Sequence, residues 1–464
     1  MRALLVMSLA LLAGCATFSD DGGFGEVGKA VSDRGAGEAK WLRSAGESDS
    51  AATRVKELLT QPLTAQAAVQ VALLNNRGLQ ARYAELGITE AELVQASRWS
   101  GPTFSFARLK RGDEVERETG VFFDVLGLVT IPWSTKAQEQ RFAAARHRAA
   151  EETLRLALDT RKAWLQAVAA QQTVTYMEDV RLAAEASADL ARRMAAVGNW
   201  PRLTRDREQA FYADATAQLA RARQTQAAAR EKLTRLMGLW GEDIAYALPG
   251  RLPDLPQAAR EGGELEAEAL RQRLDVQAAH RDAEGLARSL GLTRATRYVD
   301  LLEVGAIRNT ESGQPVQRGV EIEFRIPIFD FGGARAARAE YLYMQAVDRA
   351  ADAAVRARSE VREAYGAYRT AFDLARHYRD EIVPLRKRIS DEVLLRYNGM
   401  LASVFELLAD SRDAVASVNA YLEAQRDFWT ADAELQMALT TGSPGASGGT
   451  MKAAMPAAAA GGGH

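Results

Sequence analysis

The sequence predicts a mainly α-helical protein with a small β part, in which one unit of helix, β-hairpin and long helical hairpin is written twice. Three observations point there. Proline is sparse, 12 among 464 residues, in a chain rich in alanine, a composition that favours long helices. Helical periodicity runs nearly unbroken for roughly 65 residues in each half, on the order of 100 Å at about 1.5 Å per residue. Helices of that length pack along one another rather than into a compact globule. Finally, the same landmarks recur in the same order in both halves.

Bulk composition narrows the function. Hydrophobic residues make up 47% and charged residues 26%, enough for a large core. The 61 acids and 59 Lys and Arg nearly cancel, for a formal net charge of −2, so nucleic-acid binding has no electrostatic footprint. No apolar run reaches the roughly 18 residues of a membrane-spanning helix. His147, His280, His377 and His464 are far apart and offer no metal-ligand spacing. There is no phosphate loop, nucleophile elbow or HExxH pair, so no catalytic residue and no cofactor is expected.

The chain opens MRALLVMSLALLA: one arginine, then an apolar stretch of roughly ten residues, the length of a signal-peptide core. It ends in Leu12-Ala13-Gly14-Cys15, and Cys15 is the single cysteine. This resembles the bacterial lipoprotein signal, which implies a signal peptide over residues 1–14 and a covalent lipid on Cys15. In that family an aspartate after the cysteine commonly retains the protein in the inner membrane. Ala16 stands there instead, compatible with the outer membrane. Residues 15–60, rich in Gly, Ser and Asp, read as an extended or loosely helical lead segment.

Repeat one spans residues 61–248. LTAQAAVQVALLNN has apolar residues at helical spacing, with Thr64 as N-cap, and a second helix runs to just before Pro102. Strands follow at about 102–110 and 120–131, with KRGDEVERE as a charged tip. A proline-containing linker at 249–260 (Pro249, Pro253, Pro256) leads to repeat two, residues 261–442, with strands at about 299–308 and 316–326. Leu79-Gln80-Ala81 corresponds to Val276-Gln277-Ala278, Leu93 to Leu290, and Ile131-Pro132-Trp133 to Ile326-Pro327-Ile328. Each long helical run is broken by glycine, at Val197-Gly198-Asn199 and at Tyr397-Asn398-Gly399. Pro201 fits the first position of a new helix, and Pro384 predicts a break or kink. Leu154, Leu158, Leu165 and Val168 form an apolar stripe, and small residues such as Ala184, Ala188 and Ala191 permit close helix approach. The tail at 443–464 has the low-complexity composition of a disordered segment.

VEIEFRI, at Val320–Ile326, alternates strictly. Val320, Ile322, Phe324 and Ile326 would face lipid, while Glu321, Glu323 and Arg325 would face a watery lumen. A sheet in lipid must close, because an open edge leaves backbone groups unpaired. Four strands fall short of the roughly eight of the smallest familiar barrels, so several copies must pool their strands. Two, three or four copies would give eight, twelve or sixteen strands, and strand physics does not choose among them.

The repeated helix–hairpin–helix order, LTAQAAVQVALLNN, PIFDFGGARAARAE and the breaks at Gly198 and Gly399 resemble the TolC-type outer-membrane efflux family over roughly residues 61–442. The lipid-attachment signal matches its lipoprotein branch. The resemblance implies a homotrimer, with a shared 12-stranded transmembrane β-barrel joined to an α-helical barrel crossing the periplasm. It implies a passive exit duct in outer-membrane lipid, serving an inner-membrane pump through a periplasmic adaptor protein. A type I protein secretion duct is the alternative. A lipid-anchored adaptor or tether is a more distant one, since it would carry one helical hairpin rather than two.

In the family the glycine-broken turns meet the adaptor, which falls here on Val197, Gly198 and Asn199, and on Tyr397, Asn398 and Gly399. Acids after the second turn ring the entrance in the family. SVFELLAD supplies Glu406 and Asp410 as candidates, with Ala409 at one expected acid position. Arg111-Gly112-Asp113 spells an adhesion tripeptide, a sequence frequent by chance and suited to a charged barrel loop.

Overall fold

The structure is a computed structural model that describes residues 17–299 and 301–442. The signal segment, Cys15, Ala16 and the tail from 443 lie outside the described residues. Eleven α-helices and four strands are described.

The lead segment is more ordered than its composition suggests. It forms two regular helices, α1 (Phe24–Ser32) and α2 (Ala45–Leu59). Ser44 and Glu47 form a reciprocal capping box that starts α2. Each helix has a narrow apolar face. Val27 and Val31 pack with Tyr83, Leu86 and Leu154, while Ala51 and Val55 pack with Trp164 and Val168.

Repeat one continues with α3 (Ala65–Asn75) and α4 (Arg77–Ala96), separated only by Asn76. Thr64 caps α3 through the Ala67 N–H. Strands β1 (Pro102–Arg111) and β2 (Glu114–Asp124) follow, then α5 (Val125–Ala196) and α6 (Arg202–Met237). Repeat two has the same order: α7 (Leu265–Gln272), α8 (Leu274–Ala295), β3 (Leu301–Glu311), β4 (Gln317–Arg325), α9 (Gly333–His377), α10 (Val383–Asn398) and α11 (Val404–Thr440). Arg273 is the single residue between α7 and α8, where Asn76 stands in repeat one. The two positions do the same job with different chemistry. Asn76 Nδ2 donates to the Leu236 carbonyl at 2.9 Å, and Arg273 Nη1 to the Ala438 carbonyl at 3.3 Å. Each ties the start of its repeat to the end of that repeat's last helix.

Two sequence expectations shift. The first hairpin turns on two residues, Gly112 and Asp113, so most of KRGDEVERE is strand. The return strand ends at Asp124 rather than near Ile131. Asp124 accepts the Gly127 N–H at 2.7 Å and starts a helix of 72 residues, about 108 Å long at 1.5 Å per residue. Pro132 lies inside that helix and leaves the Leu128 carbonyl without its usual donor. The register between repeats moves accordingly. Phe123-Asp124 matches Phe329-Asp330, whose carboxylate accepts the N–H groups of Gly332 and Ala334 at the start of α9. The sequence match of Ile131-Pro132-Trp133 with Ile326-Pro327-Ile328 is therefore out of step. Near Pro384 the helix is broken by one π-turn, Tyr378–Ile382, and Pro384 sits in the first turn of α10, where its missing N–H costs nothing.

The core lies along the upper helices. Trp164 packs with Leu63, Val71, Leu233 and Met237 and donates its indole N–H to the Leu63 carbonyl at 2.7 Å. Tyr368, Phe372, Phe428 and Leu435 fill the equivalent place in repeat two. The linker is pinned: the Pro253 carbonyl accepts from both Gln425 and Trp429 of α11. Toward the helical ends the packing thins, and α10 has no buried residue at all.

Candidate functional site

The four strands form one antiparallel sheet in the order β1-β2-β3-β4, so its two outer edges are strands from different repeats. The ladder register fixes which side chains share a face. On one face lie the rows Pro102–Phe123–Val304–Ile322 and Phe104–Val121–Ala306–Val320, with Leu302 beside Phe324. Phe104, Val320, Ile322 and Phe324 are all exposed, as is Ile326 just past the strand. On the other face Asp124, Glu303 and Glu323 stand in one cross-strand row, with Glu321 and Arg325 flanking them on β4. The sheet thus brings Val320, Ile322 and Phe324, three of the four expected lipid-facing residues, to one side and the three expected lumen-facing residues to the other, while Ile326 lies one residue past the end of β4.

The return strand β2 breaks the alternation that β4 keeps. Phe122 and Phe123 are adjacent, so one points to each face. Phe122 lies on the acidic face over two glycines. A Cβ at Gly305 would sit 2.4 Å from its ring, and one at Gly120 would sit 2.6 Å away. Phe123 belongs to the apolar face and stacks on Trp99 at 5.3 Å between centroids. Trp99 in turn donates to the Asp124 carbonyl at 3.1 Å. Trp99, Trp133, Tyr298, Phe331 and Phe329, the last 98% exposed, gather where strands give way to helices. An aromatic girdle at that level is a hallmark of a membrane–water boundary.

The opposite end of the molecule carries two helix reversals with identical hydrogen bonding. After α5, the Asn199 N–H bonds the Met194 carbonyl at 2.9 Å and the Gly198 N–H bonds Ala195 at 3.1 Å. After α10, the Leu401 N–H bonds the Arg396 carbonyl at 2.8 Å and the Met400 N–H bonds Tyr397 at 3.0 Å. Both are Schellman motifs, which need one left-handed residue. Gly198 fills that place at φ +81°; in the second turn it is Met400, at φ +61°, while Gly399 keeps an ordinary φ of −82°. The expected triplet Tyr397, Asn398 and Gly399 is thus shifted: Gly399, Met400 and Leu401 match Val197, Gly198 and Asn199. Met400 and Leu401 are 94% and 81% exposed. Pro201 occupies the N-cap position of α6, one position before the expected first helical residue, without a side-chain cap.

Glu406 is exposed in the first turn of α11, where its N–H is capped by Ser403 Oγ at 3.2 Å. Asp410 is turned inward, 8% exposed, and accepts from Ser390 of α10. The two candidate acids therefore differ: one is free to line an opening, the other holds the α10–α11 hairpin together. A buried link nearby joins the repeats. Glu208 of α6, 3% exposed, accepts from Ser187 of α5 and from Arg412 of α11.

Higher in the helices, burial pushes the Glu151 carboxyl up to about 7, with Asp275 and Glu152 adding to the rise and Arg155 opposing it. No group of three or more His, Cys, Asp or Glu among the described residues could hold a metal ion. None of the described helices is long and apolar enough to cross a membrane.

No protein-family model matches the chain, and no curated protein sequence does. Solved structures do match. A membrane protein from Pseudomonas aeruginosa aligns with a TM-score of 0.69 at 20% identity, covering 83% of this chain and 93% of its own. The open-state outer-membrane channel MtrE of Neisseria gonorrhoeae aligns at 0.67 and 18%, covering 84% and 89%. The outer-membrane protein VceC of Vibrio cholerae aligns at 0.63 and 16%, covering 85% and 97%. At these identities the likeness is one of fold: the chain has the mainly α, small antiparallel β fold of solved outer-membrane channels, as the sequence's resemblance to the TolC type implies.

Proposed function

We propose that the chain is one third of a passive exit duct in the bacterial outer membrane. Three copies pool four strands each into a 12-stranded barrel, and their long helices form a tube across the periplasm. The observation that carries this reading is the sheet itself. It is exposed and two-faced, apolar on one side and acidic on the other, and both of its edges are open at the end of a helix of 72 residues. Open edges in lipid leave backbone N–H and C=O groups unpaired, so β1 of one copy pairs with β4 of the next. The uncovered apolar residues of α10, Leu385, Leu394 and Leu395, are surfaces of the kind that neighbouring helices cover.

In this reading an inner-membrane pump drives transport and the chain serves only as the passage. A periplasmic adaptor would dock on the reversals around Gly198 and Met400, and Glu406 would face the opening between them. Cys15 would carry the lipid anchor. The test is gel migration of outer-membrane fractions before and after heating. A heat-labile band near three times the subunit mass is expected; a monomer in the soluble fraction, with or without Cys15→Ser, would overturn the reading.

A further inference from the structure

The apolar face of the sheet ends in arginine. Moving along the strands away from the helices, each strand contributes one: Arg108 on β1, Arg117 on β2, Arg308 on β3 and Arg318 on β4. Arg108 stands directly opposite Arg117, and Arg308 directly opposite Arg318. Arg117 faces Thr310 while Thr119 faces Arg308, which makes Arg117 and Arg308 diagonal neighbours. The result is one continuous belt on the same face as Val320 and Ile322. All four side chains are exposed, and none makes an ion pair among the described residues. The acids at this level, Glu116 and Glu118, lie on the other face of the sheet, and Glu116 accepts from Asn309 there at 2.5 Å.

Like charges directly across a ladder repel, and a sheet that needed only solubility would alternate their sign. Charge facing hydrocarbon is costly at the midplane but cheap at the boundary. The belt's height decides which applies. Arg318 lies eight residues along the chain from Ile326, roughly 27 Å at about 3.4 Å per residue, or roughly 20 Å along the membrane normal at a tilt of about 40°. The aromatic girdle lies just below Ile326. The belt therefore falls near the far edge of an apolar band about 25 Å tall, where headgroups begin. Guanidinium pairs suit one kind of headgroup, because they bind phosphate oxygens bidentately.

We propose that this belt, twelve arginines around a trimer, binds phosphorylated lipid headgroups of the outer leaflet and sets the depth of the barrel in the membrane. The proposal rests on the barrel reading above. It is tested with the full-length protein reconstituted into phosphatidylcholine vesicles, with and without bis-phosphorylated lipid A, reading lipid A co-purified per subunit after detergent extraction. Wild type should retain lipid A, with retention falling as salt rises, and the R108Q/R117Q/R308Q/R318Q variant should lose roughly tenfold or more. The matching Lys variant should keep part of the retention, and E116Q/E118Q all of it. Equal retention by the Gln and wild-type proteins overturns the proposal. So does competition by inorganic phosphate as effective as lipid A itself, which would make the belt a site for a free anion. Failure of wild type to enter phosphatidylcholine vesicles at all sinks the barrel reading instead, and the proposal with it. Should the Gln variant not assemble, the salt dependence of wild type and the Lys variant decide.

Discussion

Arg412 Nη2 lies 3.1 Å from Glu208 Oε1 and joins the last helix of repeat two to the last helix of repeat one. Ser187 completes the site from α5, and the Arg412 guanidinium sits over the Phe211 ring at 4.5 Å. Three helices of two repeats thus meet at one nearly dry carboxylate. Glu208→Ala leaves Arg412 without its acid and should destabilise this region by about 1–3 kcal/mol, the low end because Arg412 is partly solvated. Hydrogen exchange should rise in α6 and the first turns of α11 while the Trp164 core stays protected. Unchanged exchange there would show that the link carries little energy.

The left-handed positions of the two reversals, Gly198 and Met400, respond in opposite directions when a side chain is added at one and removed at the other. Met400→Gly removes a left-handed non-glycine residue and should stabilise the second turn by about 1 kcal/mol. Gly198→Ala should destabilise the first by a similar amount, about 1 kcal/mol. Gly399→Val should be nearly silent for the backbone, since its φ is ordinary and the nearest atom to a new Cβ is 3.5 Å away. Thermal unfolding of the three variants checks the order.

Face assignment is tested by charge. Ile322→Arg or Phe324→Arg places a cation against hydrocarbon and should cost about 2–4 kcal/mol near the midplane. Glu321→Gln, on the acidic face, should leave assembly intact. The yield of heat-labile oligomer in outer-membrane fractions separates the two cases. Equal yields would contradict the assignment of faces.

Glu151 gives a pH dependence. Its folded-state value of about 7 lies above the ordinary 4.5, so the folded protein holds a proton that the unfolded chain has released between those values. This contribution to stability is complete below pH 4.5 and is lost as pH rises through 7. Glu151→Gln should remove that slope and stabilise the protein at pH 8, by up to about 3 kcal/mol. Parallel melting curves of variant and wild type across this window would contradict it.

Much of the molecule was legible because long periodicity and a repeated order survive substitution. The strand at Val320 showed its two faces, since alternation depends only on polarity. What failed was register. FDVLGL and FDFGGA share little beyond Phe-Asp, yet in both the aspartate starts the long helix, and a proline eight residues into α5 disguised the match. The second reversal misled for a related reason. Glycine marks a left-handed position only when the protein uses it there, and here Met400 takes the strain beside an available Gly399. The lead helices α1 and α2 hid behind Gly, Ser and Asp, because their order comes from caps and a few valines docking on repeat one. The arginine belt was invisible without strand register, since four residues scattered from 108 to 318 become neighbours only across three ladders.

The pairing of β1 with β4 between copies is tested most directly by imaging the purified full-length particle in detergent. A threefold cylinder with twelve strands at one end, and a helical tube on the order of 100 Å long extending from it, is the expected result. A stable water-soluble monomer, or a particle whose sheet stays open at both edges, would contradict it.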